Sequence, residues 1–224
     1  MYDIVYFIKP CFKNEELRYS LRTLQNFPHN KVWFYGGCPD DIKPDYYVRV
    51  KQNLNKWENV NMMLRLACNN PNITSNFWLF NDDFFIMKPV ENPTNHYNGD
   101  LYKRIVRLED KYGEITNYSK LLRDCCKELE SLGCETKNYT LHVPMLFNKK
   151  KARELFTLTE FPGFRSLYAN YFKIGGQEMN DVKITSLTKE YKSGIYLSTD
   201  EKSFNGKVGE QIRELFPVKC KYEI

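Results

Sequence analysis

The 224-residue chain is marked first by what it lacks, and each absence removes a class of protein. No apolar run approaches the roughly 18 residues needed to span a bilayer, so no transmembrane helix is expected. The opening MYDIVYFIKP is strand-like, too short and wrongly flanked for a secretory leader. The seven cysteines (Cys11, Cys38, Cys68, Cys125, Cys126, Cys134 and Cys220) contain no Cys-x-x-Cys pair, which argues against a zinc site or a thioredoxin-type motif. Their odd number fits buried free thiols in a reducing compartment, and the cytoplasm is the expected location. No internal repeat or low-complexity segment is visible. Nor is the charge extreme. Thirty-three basic against 28 acidic residues give +5, a mixed surface rather than a nucleic-acid arm, with enough basic bias to steer phosphate-bearing ligands.

What is present is a core. The length suits a single domain, and 42% hydrophobic residues are enough to fill it. Sixteen Tyr and 15 Phe make the aromatic share high, sufficient for a thick core and for flat platforms on which bases or sugars stack.

Along the chain, DIVYFI (residues 3–8) predicts a first strand ended by Pro10. Asn14 then reads as the N-cap of a helix in which Leu17, Leu21 and Leu24 recur at helical spacing, with Glu15 and Glu16 in its first turn. KVWFY (residues 31–35) predicts a second strand, closed by Gly36-Gly37-Cys38-Pro39. Strand, helix, strand in this order implies a βαβ unit. The fold class is therefore α/β, a mostly parallel Rossmann-like sheet flanked by helices. A short strand is expected at residues 46–50, a second helix over 59–68, a helix over 149–158, a strand at 194–199 and a closing helix at 206–215. The charged segment 101–135 reads as a helical insertion, a lobe or lid within one domain.

The feature that carries chemistry is NFWLFNDDFFI, residues 76–86. Adjacent acids flanked by apolar residues on both sides are costly to bury unless something cationic receives them. At the carboxyl end of a parallel strand, Asn81, Asp82 and Asp83 would face the crevice where open α/β sheets bind ligands. Carboxylate oxygens suit Mg²⁺ or Mn²⁺, which can bridge a diphosphate. Asp and Asn are also common at strand exits for backbone reasons, so the motif acquires weight from its context.

That context resembles the Stealth proteins, the family of capsular-polysaccharide and lysosomal-type sugar-1-phosphate transferases. Four blocks follow in the family's order. They are DIVY at Asp3 to Tyr6; NEELRYSLRTL from Asn14 to Leu24 with the apolar run into Asn81-Asp82-Asp83; His142-Val143-Pro144 followed by a helix and Phe164-Arg165; and Leu197-Ser198-Thr199-Asp200 leading to Phe216-Pro217 and Cys220-Lys221-Tyr222-Glu223.

The resemblance implies a fold like the GT-A glycosyltransferases, a divalent metal, a nucleotide-sugar donor and a glycan hydroxyl as acceptor. It also implies that Glu16, His142 and Arg165 join Asp82 and Asp83 in the active site. His142 would serve an acceptor hydroxyl or a phosphate, and Arg165 a phosphate through its guanidinium fork. Arg18 and Arg22, one helical turn apart, would meet phosphate oxygens or else pair with carboxylates. Lys56, Asn59 and Asn61 at the opening of the second helix are candidates for donor or acceptor contacts. Two other functions share these residues: transfer of the sugar itself, to a glycan or a modified nucleic-acid base, and nucleotide binding without turnover.

Overall fold

Central parallel strands are covered on both faces, so they read as continuous apolar runs rather than alternating ones. DIVYFI, VWFYG and NFWLF are of that kind, and nearly every residue in them is buried. The computed structural model describes residues 1–160 and 163–224. In chain order its elements are β1 (Asp3–Ile8), α1 (Glu15–Thr23) with a 3-10 turn at Leu24–Asn26, β2 (Val32–Gly36), β3 (Tyr46–Arg49), α2 (Lys56–Asn69), β4 (Asn76–Phe80) and β5 (Phe84–Ile86). There follow β6 (His96–Tyr97), α3 (Leu101–Tyr112), α4 (Asn117–Ser131), β7 (Met145–Asn148), α5 (Lys149–Leu158) and α6 (Phe164–Tyr171). The chain closes with β8 (Gln177–Glu178), β9 (Tyr196–Ser198), α7 (Glu201–Phe204) and α8 (Lys207–Leu215). No helix among the described residues is long and apolar enough to cross a membrane.

These elements gather into two units, Met1–Pro93 with His142–Lys149 and Val182–Ile224, and Thr94–Leu141 with Lys150–Asp181. The first holds a sheet of order β3-β2-β1-β4-β7, parallel except for β7, which pairs antiparallel with β4. The architecture is the Rossmann-like α/β sheet expected. From β1 the chain moves outward on one side through β2 and β3, then returns through α2 to β4 on the other side of β1. The strand order therefore reverses between β1 and β4. Crevices of open α/β sheets form at such a point, outside the carboxyl ends of the strands.

The apolar run at residues 76–86 is not one strand. It breaks at the acids: β4 lies in the main sheet, whereas β5 pairs antiparallel with β9 in a separate ribbon. The second unit contains α3, α4 and α6 with the short β6–β8 pair. Segment 101–135 thus supplies two helices, packed together through buried Leu101, Ile105 and Leu108 of α3 and Leu122, Cys125 and Leu129 of α4.

Two glycines allow the strand exits to approach. At Gly36, φ is +110°, and a Cβ there would sit 2.2 Å from the Ile8 carbonyl oxygen; at Gly37 it would sit 2.7 Å from Pro10 Cα. At the opposite end of the sheet, Asp3 is buried but fully answered. Its carboxylate accepts from Asn30 Nδ2 at 2.8 Å, Lys31 N at 3.2 Å, Trp33 Nε1 at 3.1 Å and Thr74 N at 3.0 Å. Asp3 is a staple of the fold.

Arg22 plays the same part for the C-terminal tail. Its guanidinium forks onto Glu223 at 2.7 and 2.8 Å and donates to the carbonyls of Phe216 and Pro217 at 2.9 and 3.0 Å. Burial alone would raise the Glu223 carboxyl, but the bonds from Arg22 and the Cys220 amide hold it below the usual range. Glu223→Ala would leave the Arg22 charge buried and alone, and a loss of about 3 kcal/mol is expected in denaturant unfolding. Glu15→Ala, which removes the more exposed pair with Arg213, is expected to cost less than about 1 kcal/mol.

Candidate active site

The Asp82–Asp83 turn is held from both sides. Before it, β4 is fixed between β1 and β7. After it, β5 is pinned to α1: Ser20 Oγ donates to the Phe84 carbonyl at 2.5 Å, the Ile86 amide to Thr23 Oγ1 at 3.0 Å, and Asn26 Nδ2 to the Ile86 carbonyl at 2.8 Å. The turn itself closes through the Phe84 amide on the Asn81 carbonyl at 3.3 Å. Backbone held this way presents the two carboxylates at the carboxyl end of β4, beside the reversal point of the sheet.

Three further elements complete the site. Asn14 caps α1 by accepting from the Leu17 amide at 2.9 Å, and its Nδ2 donates to Asp82 Oδ2 at 2.7 Å. In the first turn of α1, Glu16 accepts from Thr199 Oγ1 at 2.6 Å. Lys183 Nζ and Ser198 Oγ both donate to Asp83 Oδ2, at 2.8 and 3.2 Å. The β5–β9 register, Phe84 opposite Ser198, is what carries Ser198 and Thr199 to the acids.

Three carboxyls thus share one neighbourhood with one ammonium, and the charge does not balance. Burial, then the charges of Asp83 and Asp82, pushes Glu16 up to about 7 despite its bond from Thr199. Burial and the Asp83 charge likewise raise Asp82 against its bond from Asn14. Burial and the Asp82 charge raise the Cys11 thiol, which disfavours its thiolate form. Asp83 Oδ1 is buried without a hydrogen-bond partner among the described residues.

An unanswered carboxylate oxygen amid excess negative charge fits a cation. Among the described residues no group of three or more His, Cys, Asp or Glu side chains is placed to hold a metal ion. Mg²⁺ can be held by as few as one or two carboxylates, with water and substrate phosphates filling the rest. Asp82 and Asp83 are the residues that would hold it.

The other expected site residues fall in several places. His142 is half-buried, three residues before Met145, which pairs with Leu79; Asp82 lies three residues beyond Leu79. Both therefore lie at the same end of the sheet. Asn81 is exposed beside the acids. Arg18 is taken by Asp41, with Glu223 at 3.8 Å, and Arg22 by the tail, so neither expected phosphate role fits; the carboxylate pairing does. Asn59 is also committed, bonding the Leu54 carbonyl at 2.6 Å and the Leu54 amide at 3.3 Å to close the loop before α2. Lys56 is exposed, its ammonium over the Trp57 ring at 5.1 Å, and Asn61 is half-buried on α2. Arg165 belongs to the second unit, buried and donating to the Leu141 carbonyl at 2.9 Å.

Sequence reasoning did not reach Lys183, nor the second role of Asn14. No local pattern around Lys183 marks it, whereas Ser198 and Thr199 stand in the last of the four blocks on which the expected resemblance rests. Compared with models of known protein families and with curated proteins, the chain finds no match in either.

A carboxyl raised by folding binds its proton more tightly in the native state, so its contribution is full below the unfolded value. For Glu16 stability should fall as pH rises from about 4.5 towards about 7. Glu16→Gln, which can still accept from Thr199, should flatten that slope and stabilise the protein near pH 8 by about 1–2 kcal/mol, allowing for partial solvent access. Urea unfolding of both proteins across pH 4–8, without divalent ions, measures it; identical slopes would contradict the assignment.

Proposed function

We propose that the chain is a metal-dependent transferase that draws on a nucleotide-sugar and moves a sugar-1-phosphate onto a hydroxyl of a glycan. The observation that carries this reading is the Asp82–Asp83 pair at the sheet's reversal point, with one buried oxygen of Asp83 unanswered. The resemblance to the Stealth family supports it, since Asn14, Glu16, Asp82, Asp83, Ser198 and Thr199 all fall within matching blocks.

A bound Mg²⁺ or Mn²⁺ would neutralise charge on the donor diphosphate. The chain's own groups have separate parts. Asn14 and the β5 clamp fix the acids in place before the donor arrives, so no reorganisation is needed on binding. Lys183 sets Asp83 by holding one of its oxygens. His142 receives the acceptor's proton as the hydroxyl oxygen attacks the sugar-bearing phosphorus. The bond to the second phosphate breaks, and a nucleoside monophosphate leaves. The committed Arg18, Arg22 and Asn59 have no part in this.

Incubation with a panel of nucleotide-sugars, Mn²⁺ and a glycan acceptor identifies the reaction by the nucleotide set free. A monophosphate is expected, with release falling at least about 100-fold in Asp83→Asn. A nucleoside diphosphate would mean that the anomeric carbon is attacked and the sugar alone transferred. No release from any donor would overturn the enzymatic reading and leave a nucleotide-binding module.

A further inference from the structure

The second unit carries a cleft of about 250 Å³, just under the ~300 Å³ at which small-molecule pockets begin. One wall is a stripe of α3. Leu101, Ile105 and Leu108 turn inward, so Lys103, Arg104 and Arg107 line the cleft from the other side of the helix. Elsewhere in this unit three basic side chains are paired: Arg123 with Glu109 at 2.6 Å, Lys127 with Asp124 at 3.6 Å and Lys137 with Glu135 at 2.7 Å. Lys103, Arg104 and Arg107 have no ion-pair partner among the described residues.

The cleft's two acids do not answer them. Asp100 is spent as the cap of α3, accepting from the Tyr102 amide at 2.7 Å and from the Thr136 hydroxyl. Asp181 also lies in the lining, with an interaction of its own. Like charges three and four residues apart on one helix repel unless an anion lies between them. Arg104 and Arg107 offer planar forks suited to phosphate oxygens, and the amides of Asn98 and Asn180 stand at the same cleft as hydroxyl partners.

We propose that this cleft is a binding site for a phosphorylated saccharide, its phosphate on Lys103, Arg104 and Arg107 and its hydroxyls on the asparagine amides. The phosphate site stands on the cleft alone; the choice of a saccharide rests on the transferase reading. A volume of this size takes one sugar phosphate and not a folded nucleic acid.

Calorimetric titration of the full chain with glucose 6-phosphate tests it, with glucose, inorganic phosphate and a short single-stranded oligonucleotide as the other arms. Glucose 6-phosphate is expected to bind, more weakly as salt rises, and at least tenfold more weakly in Arg104→Gln/Arg107→Gln. Lys111→Gln/Lys127→Gln, which removes charge outside the cleft, is expected to change nothing. The melting temperature reports whether the cleft variant is folded; if it is not, Lys103→Gln and Arg107→Gln, both at exposed positions, carry the comparison. Absence of binding at millimolar concentration, or binding indifferent to the cleft variants, would overturn the site. Equal affinity for inorganic phosphate, or tighter binding of the oligonucleotide, would overturn the saccharide. Asp83→Asn is expected to keep the binding, so loss of turnover and loss of this site are read separately.

Discussion

Two adjacent carboxylates held away from bulk water at the carboxyl end of β4 are the constraint around which the first unit is organised. Repulsion between them, and the loss of hydration, would drive an unrestrained turn into solvent. It is kept in place by bonds that are mostly remote from it: Ser20 and Thr23 of α1 on β5, Asn14 on Asp82, and Lys183 and Ser198 on Asp83. Many of these run between segments about 60 to 115 residues apart in sequence, so the site exists only when the unit is folded.

The treatment of other buried charges in the same unit sharpens the point. Asp3 accepts four hydrogen bonds, and the Arg22–Glu223 pair is forked and further bonded to two carbonyls. Those groups are answered within the chain, as buried polar groups generally are. Asp83 is answered at Oδ2 but not at Oδ1, an orphan oxygen it shares in this unit with Asp41 Oδ1, and at Asp83 alone it stands beside Glu16 and Asp82, both driven towards their protonated forms. A site that is electrostatically incomplete on its own is ready to receive positive charge, and the sheet's reversal point is where an α/β fold receives a nucleotide's phosphates.

Much of this was legible in the residues. The apolar runs of β1, β2 and β4, the Asn14 cap and the leucine spacing of α1 each follow from local patterns, and the helix over Lys149–Leu158 matches its expected bounds. The acids stood out from their apolar flanks as well, whereas Glu16 was expected beside them only through the family resemblance. What sequence could not deliver was partnership at a distance. Arg18 and Arg22 form a basic helical face like any other until the tail brings Glu223 to them, and Asn59 looks ligand-ready until its bonds to Leu54 are seen. Lys183 sits in an irregular stretch, and only its bridge to Ser198 turns it towards Asp83. The break at the acids was legible; that β5 joins a different sheet was not, because both flanks of the acids are equally apolar.

The central claim is that the acid turn is completed by a divalent cation together with a diphosphate. Thermal unfolding at pH 8 with Mn²⁺ and a nucleoside diphosphate, each alone and both together, addresses it most directly. The account predicts a melting temperature raised more by the two together than by the sum of each alone, with ligand at about 100 times its dissociation constant worth about 2.7 kcal/mol, and the effect lost in Asp82→Asn/Asp83→Asn. Equal shifts in the wild type and the double variant, or none in either, would contradict it.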